Sequence, residues 1–164
     1  MTFIQTFQLD VGLCDFISGN LEITTADKCV IEADIEEVKE PIEEFARRYL
    51  TNIAEFNYFG SSDDVIGLTV KDVRIMYIPP WNYQMYIPEH GDYLNFYIFL
   101  EDNQSVFEVF NPFIKDCFRV TPRKGLVVIL PAIWMMLTRH TDTFDGRSII
   151  IRGTIDINNL NNMQ

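Results

Sequence analysis

Basic side chains are scarce in this chain. Thirteen lysines and arginines face 24 aspartates and glutamates, a net charge of −11 over 164 residues. Contacts to nucleic-acid phosphates or to an anionic membrane need a basic surface, so this balance leaves no obvious nucleic-acid surface beyond a local groove. Cysteine is rarer still. Cys14, Cys29 and Cys117 are odd in number and widely scattered, which gives neither a disulfide framework nor a C-x-x-C zinc site. Each reads as a small buried apolar residue. No apolar run reaches the roughly 20 residues of a membrane span. The opening "MTFIQTFQLD" lacks the basic start and small-residue cleavage site of a secretory signal. Also missing are a G-x-S-x-G elbow, a phosphate-cradling G-x-x-x-x-G-K-S/T and a dinucleotide-binding glycine pattern. No placed base singles out Cys14 or Cys117 as a nucleophile. The expectation is a soluble protein of a reducing compartment, with no membrane partner.

What is present is core-forming material: 48% hydrophobic residues and 13% aromatics, enough for one domain with a real core. "TFIQTFQL" reads as a strand. "DVGLCDFISGNLE" reads as a helix capped by Asp10, with Leu13, Phe16, Ile17 and Leu21 on one face. "KCVIEA" is a further strand. Residues 34–57 carry Ile42, Phe45, Ala46, Tyr49, Ile53 and Phe56 at helical steps, with Pro41 in the first turn and 34–40 as a separate acidic turn or short helix. From Leu68 the period changes. "LTVKDVRIMYI", "YLNFYIFL", "SVFEVF", "CFRVTP", "GLVVILPA" and "RSIIIRGTIDI" follow one another between turns, as in an antiparallel sandwich or jelly roll. The expected fold is α+β. A helical part (1–60) and a β-sandwich (68–157) make one domain, and 158–164 form a loose Asn-rich tail.

The run "RVTPRKGLVVILPAIW" followed by "GRSIIIRGTI" resembles the 2-oxoglutarate- and iron(II)-dependent oxygenases, in particular the small prolyl-hydroxylase-like members of bacteriophages. Pro122, Gly125, Pro131, Ala132, Trp134, Arg139, Gly146, Ile150 and Gly153 fall on that pattern, and the strand and helices before it are similar too. The resemblance implies a double-stranded β-helix (a cupin-like jelly roll) with the N-terminal helices packed on one sheet. It also implies an Fe(II) ion held by two histidines and a carboxylate, and an Arg or Lys on a late strand for 2-oxoglutarate. His90 and Asp92 of "HGD" have the H-x-D spacing, His140 lies 50 residues later, and Arg152 or Arg147 would take the cosubstrate. An ungapped alignment instead sets Thr138 at the distal histidine and Ser148 at the cosubstrate lysine. A slip of two residues preserves strand facing, so both registers stay open.

Each of these residues has a plainer reading. His90 and Asp92 sit beside turn formers, and His140 neighbours Arg139 and Asp142 as a surface histidine would. Arg147 and Arg152 need an anion only if they face inward. Trp81, Tyr83, Tyr86 and Trp134 are core or rim aromatics, or else, with Thr138, line a substrate pocket. Two function classes therefore stand. One is an oxygenase that hydroxylates a substrate C–H bond with Fe(II) and 2-oxoglutarate. The other is a metal-free jelly-roll module with no cofactor, binding a protein partner, copies of itself or virion subunits. The expected location is the cytoplasm (a host's, if the protein is viral) or a virion.

Overall fold

A computed structural model describes residues 4–20, 30–32, 35–54, 66–78, 83–86, 94–102, 106–111, 116–131, 137–141 and 148–159. Strand β1 (Gln5–Gln8) leads into helix α1 (Val11–Asn20). The short strand β2 (Val30–Glu32) and a 3-10 turn (Glu36–Val38) then precede helix α2 (Lys39–Ala54). The rest is strands: β3 (Ile66–Ile78), β4 (Tyr83–Tyr86), β5 (Leu94–Phe99), β6 (Val106–Asn111), β7 (Asp116–Val120), β8 (Leu126–Pro131), β9 (Leu137–Thr141) and β10 (Ser148–Asn159). Among the described residues no helix is long and apolar enough to cross a membrane.

The last eight strands pair in nested order: β3 with β10, β4 with β9, β5 with β8 and β6 with β7, all antiparallel. The chain thus folds as one long hairpin that rolls up, and its strands divide between two sheets. One has the order β1-β8-β5-β10-β3-β2, the other β4-β9-β6-β7. This is the double-stranded β-helix, with α1 and α2 on the larger sheet, as the β-rich runs and the family resemblance imply.

Two cores hold the roll together. The first joins the helices to the outer face of the six-stranded sheet: Cys14, Ile17, Ile42, Phe45, Ala46, Tyr49 and Leu50 pack with Phe96, Ile98, Val127, Ile129 and Ile151. The second lies between the sheets and contains Tyr97, Phe99, Phe107, Val109, Val128, Leu130 and Ile150. With both faces covered, every residue of β5 is buried, which is why "YLNFYIFL" shows no polar alternation.

Local chemistry sets the edges of these elements. Asp10 Oδ2 accepts the Leu13 N–H at 3.0 Å and caps α1 as expected. Phe16 does not share the buried face of α1. It is 56% exposed, while Cys14 and Ile17 turn inward; Leu21 lies outside the described residues. Gly125 has φ +85°, and a Cβ there would come within 2.5 Å of the Leu9 carbonyl oxygen. Its own N–H and C=O bond Phe99 O (2.8 Å) and Leu9 N (2.7 Å), so this glycine pins β1 and the β7–β8 turn to β5. At Gly153 a Cβ would overlap the Phe96 ring. Strand β10 continues past Ile157 through Asn158 and Asn159, which pair with Gly67 and Ile66.

Candidate active site

Strand parity decides which side chains face the interior of the roll. On β5, Leu94, Phe96 and Ile98 join the helix-side core, whereas Tyr97 and Phe99 join the core between the sheets. Asn95 has the parity of Tyr97 and Phe99 and lies in the same inner row. On β10 that row is Ile150, Arg152 and Thr154, directly opposite Phe99, Tyr97 and Asn95. On β8 it is Val128 and Leu130, opposite Tyr97 and Asn95.

The inner row has two unlike ends. One is apolar: Phe107 meets Phe99 edge-on at 5.1 Å and Tyr97 at 5.0 Å between ring centroids. The other is polar and buried, with Asn95 at 0%, Arg152 at 4% and Thr154 at 4% exposure. Along the chain this polar end adjoins 87–93, just before β5, and 132–136, just after β8. A guanidinium keeps its charge at any accessible pH, so burying Arg152 demands acceptors or an anion around it. Arg74 of β3 stands directly opposite Arg152 in the ladder and adds a second positive charge to the row. The Thr154 hydroxyl lies 3.3 Å from Lys71 O and 3.4 Å from the Asp72 carboxylate. Asp72 itself adopts φ 54° where the β3–β10 register shifts. Both polar atoms of the Asn95 side chain are buried and bond nothing among the described residues. Such a group costs about 1–3 kcal/mol.

The sequence-derived candidates distribute as follows. Arg152 is inward-facing and buried, the condition under which the sequence requires an anion. Thr138 and His140 both lie on β9, in register with Val109 and Phe107 of β6. Tyr86 is opposite Thr138, while Tyr83 is opposite Thr141 and falls in the alternate row. For these four the strand position is what the structure describes. His90, Asp92, Arg147, Trp81 and Trp134 lie outside the described residues. Among the described residues no three His, Cys, Asp or Glu side chains come together. Arg74, Asn95, Tyr97 and Thr154 were not singled out in the sequence. The one signal for them was an asparagine inside the otherwise apolar run "YLNFYIFL".

No protein-family model and no curated protein matches this sequence. Solved structures do match, over nearly its whole length. A viral collagen prolyl hydroxylase from Paramecium bursaria Chlorella virus-1, in complex with 2OG, gives a TM-score of 0.59 at 14% identity, covering 94% of this chain and 96% of that one. A prolyl-4-hydroxylase of Pseudomonas putida gives 0.62 at 9% identity, covering 93% and 91%. HygX of Streptomyces hygroscopicus with iron bound gives 0.59 at 12% identity, covering 94% and 82%. The chain has the fold of the 2-oxoglutarate- and iron(II)-dependent oxygenases. In that oxygenase fold, the polar end of the inner row is where this chain concentrates buried charge and amide chemistry.

Proposed function

We propose that the protein is a 2-oxoglutarate- and iron(II)-dependent oxygenase that hydroxylates a C–H bond of its substrate. The observation that carries this reading is Arg152, a buried arginine in the inner row of a double-stranded β-helix. In this reading His90, Asp92 and His140 hold the iron, since two imidazoles and a carboxylate are the donor set suited to it. Arg152 takes the distal carboxylate of 2-oxoglutarate through charge-assisted hydrogen bonds, and Arg147 is the alternative anchor. The positive charge of Arg74 opposite raises the attraction for a dianion. When bound, iron and 2-oxoglutarate supply the oxidising power. The chain's own part is to orient the cosubstrate through Arg152 and to exclude water with Phe99, Phe107 and Ile150. Trp81, Tyr86, Trp134 and Thr138 are left to face the substrate, and Tyr83, in the alternate row, is not among them.

Metal stoichiometry tests the reading. Reconstituted protein should hold about one Fe(II) or Mn(II) per chain, and His140→Ala should abolish binding while Thr138→Ala leaves it intact. Anaerobic 2-oxoglutarate should then raise a weak visible charge-transfer band with Fe(II). A wild type without stoichiometric metal overturns the oxygenase reading in favour of a metal-free binding module. Loss of metal in Thr138→Ala but not in His140→Ala moves the distal ligand to the other register.

A further inference from the structure

Asn95 sits at the polar end of the inner row, fully buried, with neither its carbonyl oxygen nor its amide nitrogen bonded among the described residues. Its cross-strand neighbours do not answer it. Leu130 is apolar, and the Thr154 hydroxyl lies beside Lys71 O. A side chain retained to tie strands together would make at least one bond, and this one makes none among the described residues. A buried polar group with both of its atoms left open calls for an explanation, and a bound partner is one.

We infer that Asn95 is a specificity-determining residue whose partner is a substrate carrying an amide edge, an N–H donor beside a C=O acceptor. The inference rests on the oxygenase reading for what occupies Arg152. 2-Oxoglutarate presents only acceptors, so it can satisfy Arg152 and the Asn95 N–H groups but never the Asn95 carbonyl oxygen. A primary carboxamide, or the N–H and C=O flanking one residue of an extended peptide, satisfies both atoms at once. Asn95 is also next but one to Tyr97, the residue paired with Arg152, and shares its face. A substrate amide on Asn95 would thus lie beside a cosubstrate on Arg152.

Two measurements on the full chain test this. In the absence of ligand, the better of Asn95→Leu and Asn95→Ala should melt at or above the wild type, because removing two unmet polar atoms relieves their burial. If both variants melt lower by roughly 3 °C or more, the residue is structural and the inference falls. The second measurement is ligand-observed NMR with N-acetylglycinamide and its fully N-methylated analogue, which lacks N–H donors. Wild type should bind the first and not the second, and Asn95→Leu should bind neither. Equal binding of the two probes by the wild type, or no binding of either, overturns the inference. Mn(II) stoichiometry on the same samples separates the two readings. Amide recognition without metal keeps the subsite and removes the oxygenase, and metal without amide recognition does the reverse.

Discussion

The two faces of the six-stranded sheet are built to different rules. On the outer face Phe96, Ile98, Ile129 and Ile151 meet the apolar stripe of α2 in one hydrophobic cluster. On the inner face, one residue away along the same strands, Asn95, Arg152 and Thr154 are buried beside Tyr97 and Leu130. The outer face gains from burial at about 25 cal/mol per Å², and the one buried polar atom without a partner found there among the described residues is the Ser18 hydroxyl of α1. The inner face accepts the cost of a buried cation and of an amide unbonded among the described residues. That difference is the ground for proposing the site on the inner face.

Breaking the outer face should hurt most. Phe96→Ala removes a fully buried ring that also packs against Gly153 and should lower stability by about 3–5 kcal/mol in urea or thermal melts. Cosubstrate affinity of the fraction still folded should be unchanged. A loss below about 1 kcal/mol would deny that this face is the stability layer.

Gly125→Ala acts where β1 and the β7–β8 turn are tied to β5. The +85° φ and the approach of Leu9 O should make it cost about 1–3 kcal/mol, read as a fall in melting temperature. An unaffected melt would show that β1 and the β7–β8 turn tolerate a different backbone.

The smallest effect is chemical. Cys14, in the helix-side core, has its thiol pushed up to about 11 by burial and then by the neighbouring Asp15. Cys117 is exposed. In a Cys29→Ala background, a thiol reagent at pH 8 should label Cys117 and leave Cys14 untouched until the protein unfolds. The folded value lies above the ordinary 9.0, so this contribution to stability is complete below pH 9 and is lost as pH rises towards 11. Rapid labelling of Cys14 in native protein would mean that α1 is not seated on the sheet.

The roll itself was legible in the sequence. "GLVVIL", "YLNFYIFL" and "SIIIRGTI" are too apolar and β-branched for anything but central strands, and they are β8, β5 and β10. Strands β4 and β9 were not. "YQMY" and "LTRHT" are short and carry little apolar signal, and it is their pairing with each other, and of β9 with β6, that makes them strands. Phe16 misled for a related reason. Its spacing fits a helical stripe, but α1 rests on the sheet through Cys14 and Ile17. The candidate site was half legible. Arg152 could be named from its place on a late strand, whereas Arg74 and Asn95 join it through cross-strand register, which no single run of sequence displays.

The central claim is that the inner row around Arg152 binds an anionic cosubstrate. Calorimetric titration of 2-oxoglutarate into Mn(II)-loaded protein, wild type against Arg152→Met, tests it most directly. The account predicts saturable binding by the wild type and an affinity roughly 10–100-fold weaker in the variant, the worth of charge-assisted hydrogen bonds to a carboxylate. Metal content should be the same in both. Equal affinity in the two proteins would contradict it.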